Sequence, residues 1–351
     1  MGRRDNGYSN LIMAAIEFYK LSVEDKRTVF STTGERVGLP AYAVEKDWWV
    51  VQTLRTIFKM EVGQHLLFKG GTSLSKAWRL INRFSEDIDL ALNRKYLKFD
   101  SGLISKSQVS KLRTKSYDYI TKEFKPELEH ALHEAGYDAL TFDYEDLGYG
   151  DQDPVSLLVQ YPAIIEHPDY IKPRVKVEIG CRSLKDPFTD RSFRSIISEE
   201  FSDRSYSDDD IIIPCINPER TYLEKMFLLH EEFQKPKDRI RVDRLSRHLY
   251  DLHQISNSEY RDKAHDSKLI SDIIAHRERF NGLKGVDYKS HFPPNLNPIP
   301  PEKHIDAWKA DYKKMQDEMI PEDSPTFEDL IHKIREEVAA FNQLKNERDV
   351  L

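Results

Sequence analysis

Two aspartates one residue apart, Asp87 and Asp89, follow a glycine pair and a run of hydroxyls in FKGGTSLSKAWRLINRFSEDIDL, Phe68–Leu90. If Asp87–Leu90 is a strand, alternation puts both carboxylates on one face and Ile88 and Leu90 on the other. Carboxylates that close repel unless a cation lies between them. Magnesium suits such a pair, because it binds through a few carboxylates plus substrate phosphates and can activate an attacking oxygen. A solvated strand edge can carry the same two charges. Upstream, Gly70-Gly71 lets backbone approach a phosphate closely, and Thr72 or Ser73 can cap the next helix, whose N-terminus attracts anions. An ordinary tight turn before a capped helix reads the same way. The spacing is not that of a Walker A loop. Lys69 can reach a phosphate or lie on the solvent side of its strand.

Three further positions extend this set. In RVKVEI, Arg174–Ile179, Lys176 and Glu178 share one face of an alternating strand. Glu178 suits a third metal ligand or a general base, or an ordinary Lys/Glu surface. Lys225 lies among Tyr222, Leu223, Met226, Phe227 and Leu229. It can snorkel from a core-facing stripe or present a point charge to a triphosphate. Next comes QKPKDRIRVDRLSRHLYDLHQI, which crowds Lys235, Lys237, Arg239, Arg241, Arg244, Arg247 and His248 together. On one helix, Arg244, Arg247, His248 and Asp251 share a face. Such a patch suits a nucleotide or RNA backbone, or a salt-bridged surface helix. Asp251 suits orienting Lys225 or a histidine.

The elements that must position these residues follow from periodicity. Helices are expected over 8–33, 41–60, 73–82 and 107–135, the last closed by Gly136. Strands are expected at 66–69, 87–90, 140–144, 155–161 and 174–179. Residues 183–210 read as irregular. Beyond Pro218 the pattern turns helical: 219–234, 241–256, 260–281, 303–317 and 326–346. The expected organisation is a sheet-containing catalytic domain with N-terminal helices over 1–215, and a helical domain over 216–351 that contributes Lys225 and Asp251 to the cleft.

Composition bounds the rest. The chain has 351 residues, 32% charged and 39% hydrophobic, with a net charge of −7. No window resembles a membrane span, and the first twenty residues lack the pattern of a secretory signal. Two cysteines, Cys181 and Cys215, predict a reducing, cytoplasmic setting. No Cys/His cluster points to zinc and no G-x-S-x-G elbow to a serine hydrolase. The net acidity excludes a broadly basic nucleic-acid coat, so contact with a polyanion must use a local patch.

KGGTSLSKAW, RFSEDIDL, KVEI, EKMFLLH and RHLYDL occur in this order, with EKDWWV ahead of them. Over roughly residues 45–255 the chain resembles the AbiEii/AbiGii toxin family, which includes the MenA/MenT toxins of bacterial toxin–antitoxin systems. The resemblance implies an α+β fold of the DNA polymerase beta nucleotidyltransferase type: a mixed sheet flanked by helices, with a C-terminal helical lobe. It implies Mg2+-dependent transfer of NMP from an NTP, most readily to a tRNA 3′ end. It also implies a role in phage defence or growth arrest, and a cognate antitoxin that acts with or without direct binding. By the same resemblance Lys69, Asp87, Lys225 and Asp251 match positions used for activity. Gly71, Thr72, Ser73 and Asp89 match the nucleotide-binding motif, which Gly70 adjoins. Glu178 stands where the superfamily more often has Asp. The expected metal ligands are Asp87, Asp89 and Glu178. The rival readings are an NTP- or RNA-binding protein without chemistry, and nucleotide transfer to a protein or small molecule.

Overall fold

The computed structural model describes residues 15–99, 105–148, 150–168, 171–182, 187–320 and 324–344. The chain forms two compact units. One takes the chain up to Ala77 together with Glu86–Cys215, and the other takes Trp78–Ser85 together with everything from Ile216 onward.

The first unit is built on a seven-stranded mixed sheet in the order β3-β4-β5-β2-β1-β7-β6. The strands are β1 (Leu66–Lys69), β2 (Asp87–Leu92), β3 (Thr141–Glu145), β4 (Val155–Gln160), β5 (Arg174–Gly180), β6 (Phe188–Phe193) and β7 (Ile211–Ile216). β2 runs antiparallel to β1 and parallel to β5, and β7 is parallel to β1. Parallel strands need crossovers, and helices supply them. β2 and β5 alternate as their sequences predict: Ile88, Leu90, Val175, Val177 and Ile179 are fully buried, and the acidic and basic residues between them are half-buried. The mixed sheet with flanking helices is the fold class the sequence implies.

Two helices precede β1. Helix α1 (Val23–Val37) starts at Ser22, whose Oγ accepts from Asp25 N–H at 3.0 Å, and stops at left-handed Gly38. The expected single helix over 8–33 is therefore broken at Leu21–Ser22; its first residues, 8–14, lie outside those described. Helix α2 (Ala41–Lys59) is buried along most of its length. Its Trp48 and Trp49 pack with Phe18, Tyr137 and Tyr161, and Trp49 stacks on Tyr161 at 5.3 Å. The three charges at its start are also buried. Glu45 accepts the N–H groups of Ile164 and Ile165, Lys46 binds Glu86 and the Lys172 carbonyl, and Asp47 binds Lys76 and the Ile196 N–H. EKDWWV thus ties α2 to three separate segments.

Other boundaries differ from expectation for local reasons. The helix over 107–135 runs as α3 (Lys106–Tyr119) and α4 (Lys125–Glu134), joined by a π-turn at Ile120–Phe124. Pro126 has no N–H to donate into that turn. The helix over 73–82 stops at Ala77. Gly70–Thr72 makes one α-turn and Ser73–Ala77 a π-turn, then Arg79 turns left-handed and Trp78–Ser85 join the second unit. Residues 183–210 are not wholly irregular: a polar strand β6 and a short helix α5 (Ile196–Glu200), capped by Ser195, lie within them.

The second unit is helical, with α6 (Pro218–Phe233), α7 (Ser246–Ser256), α8 (Ser267–Phe280), α9 (Ile305–Met319) and α10 (Phe327–Asn342). α7 begins later than its periodicity suggests. Asp311 captures the N–H groups of Arg244 and Ser246, and Arg244 is left-handed with φ 58°. The helix over 260–281 is split, because Asp266 starts α8 by accepting from Leu269 N–H at 2.7 Å. Trp308, Tyr222, Tyr250, Phe227 and Phe341 form this unit's buried core.

Candidate active site

Strand register builds the first half of the site. Lys69 on β1 stands opposite Asp89 on β2, Asp89 opposite Glu178 on β5, Glu178 opposite Ser156 on β4, and Ser156 opposite Glu145 on β3. Five strands therefore place one row of polar side chains on a single face of the sheet. The next row holds Asp87 opposite Lys176. Lys176 Nζ lies 2.6 Å from Glu145 and 2.7 Å from Glu178, and Ser156 Oγ donates to Glu178 at 3.4 Å.

The glycine elbow abuts this row. Gly70 has φ 77°, and a Cβ placed there would lie 1.9 Å from Asp89 Oδ2. Only glycine fits, on backbone and on space alike. Thr72 Oγ1 donates to the Asp87 carbonyl at 2.5 Å, which fixes the start of β2 against the elbow. Ser73 is buried, and its hydroxyl meets the Cys215 thiol, whose pKa it lowers against the larger effect of burial.

The acids of the row interact closely. Burial pushes the Asp89 carboxyl up to about 7; Lys69 opposes the shift, while Glu178 and Asp87 add to it. Asp89 in turn donates a hydrogen bond to Glu178, whose carboxyl stays below its usual range through Lys176 despite its burial. Lys176 is raised above the usual lysine value by its bonds to Glu145 and Glu178, against the effect of burial. With Arg174 and Lys176 on Glu145 and Lys176 on Glu178, the raised Asp89 carboxyl is the acid of the row whose ionised form an added cation would favour most.

The fit for a divalent cation rests on the oxygen donors of the row. Among the described residues no three His, Cys, Asp or Glu side chains are grouped so as to hold a metal ion. Asp87 and Asp89 do offer two half-buried carboxylates on one face, enough for a cation that takes its remaining ligands from phosphate and water. Glu178 lies beside them but is engaged by Lys176.

The second unit carries its own charged cluster. Asp251, fully buried on α7, takes Arg83 Nε on Oδ1 at 2.7 Å and Arg83 Nη2 on Oδ2 at 2.8 Å. Lys225 of α6 adds its Nζ to Oδ2 at 2.9 Å and reaches His248 Nδ1 at 3.2 Å. The two cations hold Asp251 well below the usual carboxylate range despite its burial. Burial lowers Lys225, helped by Arg83 and Arg247 and opposed by Asp251. Burial, then Lys225 and Arg247, push His248 well down, so its neutral Nδ1 accepts from the lysine. Arg244 lies outside α7, so the expected basic face loses that member.

The structure therefore brings Lys69, Gly70, Asp89 and Glu178 together with Asp87 and Thr72 in one unit, and Lys225 with Asp251 in the other. Sequence reasoning missed Arg83, the Lys46–Glu86 pair and Lys176 as the cation that holds Glu178. Arg83 and Glu86 both sit inside RFSEDIDL, so charge ahead of the aspartates was the available signal. His248 was visible only as part of a basic run.

The chain matches the model of the family described as nucleotidyl transferase AbiEii toxin, type IV toxin–antitoxin system, over residues 52–333. No curated protein sequence matches it. Among the described residues no helix is long and apolar enough to cross a membrane. The match spans both units and most of the chain, and it agrees with the order of the motifs that build the two charged clusters: the chain belongs to the AbiEii nucleotidyl transferase toxin family.

Proposed function

We propose that this nucleotidyltransferase toxin is Mg2+-dependent and transfers NMP from an NTP to RNA, with the 3′ end of tRNA as acceptor. The observation that carries the proposal is the row Lys69–Asp89–Glu178 with Asp87 beside it and Gly70 closed against Asp89. In this reading Asp87 and Asp89 hold the cation, and Glu178 is a third ligand or the base for the acceptor hydroxyl. Bound there, the cation would polarise the phosphate under attack. Gly70, Gly71, Thr72 and Ser73 cradle the triphosphate, and Lys69 neutralises part of its charge. Most of the rate then comes from positioning and electrostatics.

Lys225 and Asp251 take part in the same reaction, with the 216–351 domain supporting the catalytic domain over 1–215. Lys225 supplies positive charge to the nucleotide, and Asp251 keeps that lysine charged and oriented. The supporting observation is that both oxygens of Asp251 are occupied by Arg83 and Lys225, which suits an orienting residue better than a metal ligand. The biological reading is growth arrest in phage defence, countered by an antitoxin.

Incubation with each α-labelled NTP, magnesium and total tRNA tests the proposal. Label in full-length tRNA that requires magnesium is the expected result. NTP or RNA binding with no incorporation would move the protein to the non-catalytic reading, and label in protein would move the acceptor.

A further inference from the structure

We infer that residues 235–247, the link from α6 to α7 together with the first two residues of α7, are a docking track for an RNA phosphodiester backbone. The identity of the polyanion rests on the transfer reaction proposed above; the track itself rests on charge and geometry. In a chain of net charge −7, this segment holds six basic residues and two acidic ones. Local charge of this sign and density attracts a polyanion that the protein as a whole repels.

The segment is pinned at both ends. Glu232, buried on α6, binds Lys235 at 2.7 Å, the Arg241 guanidinium at 2.8 Å and the Arg241 N–H at 2.8 Å. Asp311 of α9 accepts from the N–H groups of Arg244 and Ser246 at 2.8 and 3.0 Å, and from Ser246 Oγ at 2.5 Å. These tethers spend carboxylates on backbone and flanking side chains, so the loop is ordered before any ligand arrives.

Between the tethers, Lys237 and Arg239 stand exposed on a single helical turn. Among the described residues neither has an ion-pair partner. Elsewhere in the same unit some exposed lysines are paired, Lys263 with Glu259, Lys268 with Asp272, Lys309 with Glu328 and Lys313 with Asp317. Lys284, Lys289 and Lys303 are exposed without an ion pair among the described residues; Lys237 and Arg239 differ from these in sharing one helical turn. Positive charge continues inward, because half-buried Arg247 acts on both Lys225 and His248. The surface does not suit a protein partner. Interface cores are rich in apolar and aromatic groups and depleted in charge, and the exposed large hydrophobics Val23, Leu147, Phe188, Ile212 and Leu283 all lie outside this segment.

The test is anisotropy with 5′-fluorescein tRNA and the full chain in EDTA without NTP, as a function of salt. Lys237→Gln/Arg239→Gln is expected to bind about 10-fold more weakly near 0.1 M salt, with the log–log salt slope shallower by between about one and two. Lys263→Gln/Lys268→Gln, of equal charge change, is expected to bind like the parent, and thermal melting should be unchanged for both. Unchanged affinity and slope in the first variant, or an equal loss in the second, would overturn the track. So would saturation of the loop by polyglutamate with no effect of the first variant on tRNA, which would mark an acidic protein partner. Because binding is read without NTP or metal, loop-dependent tRNA binding by a protein that transfers no nucleotide would support the track and count against the reaction proposed above.

Discussion

Arg83 clamps both oxygens of Asp251, and Lys225 shares one of them. One buried anion therefore serves two buried cations. Removing it leaves like charges facing each other in a site with little access to water. Asp251→Ala should cost about 3–5 kcal/mol of unfolding free energy, read from urea denaturation. Lys225→Met leaves Asp251 neutralised by Arg83 and should cost far less, while lowering nucleotide transfer by at least about tenfold. Equal stability losses in the two variants would show that the cluster is not organised around Asp251.

Gly70 and Gly38 separate backbone strain from collision. Both are left-handed, but a Cβ on Gly38 meets nothing within 4 Å, whereas on Gly70 it would lie 1.9 Å from Asp89 Oδ2. Gly38→Ala should cost only the conformational term of roughly 1–2 kcal/mol and leave transfer intact. Gly70→Ala must also displace Asp89, and a misplacement of that size is expected to reduce transfer by about 100-fold or more. Transfer assays paired with melting curves distinguish the two.

His230 makes acid stability measurable. Its Nδ1 accepts from Asn297 N–H at 3.0 Å and its Nε2 lies 2.8 Å from Ser290 Oγ, so the ring is held neutral. Burial depresses its pKa to about 4; the Asn297 carbonyl, Glu231 and Asp287 oppose the shift and His291 adds to it. The folded value lies below the unfolded one of 6.5. The contribution is thus complete above about pH 6.5 and lost as pH falls toward 4, reaching roughly 3 kcal/mol at most. His230→Gln should show a flatter decline of urea midpoint across this window. A parallel decline in both proteins would remove His230 as the cause.

Much of this organisation was legible in residue order. Period-two alternation in DIDL and KVEI gave β2 and β5 and the shared face of their acids, because one side of each strand is buried and the other is not. The glycine elbow was legible because its conformation demands glycine. Element ends were less so. Asp311 delays α7 from 67 residues away in sequence, and Trp78–Ser85 leave the helical pattern to pack with a unit that begins far downstream. Arg83 escaped notice for the same reason: its partner Asp251 is 168 residues away. The strand and short helix within 187–200 were hidden by polar composition, since β6 is mostly exposed and offers no apolar stripe.

The most direct measurement is incorporation of α-labelled nucleotide into tRNA by the parent protein and by Asp87→Ala, each with magnesium and at matched concentration. The account predicts labelled tRNA from the parent and none above background from a folded Asp87→Ala protein. Equal labelling by Asp87→Ala would contradict it.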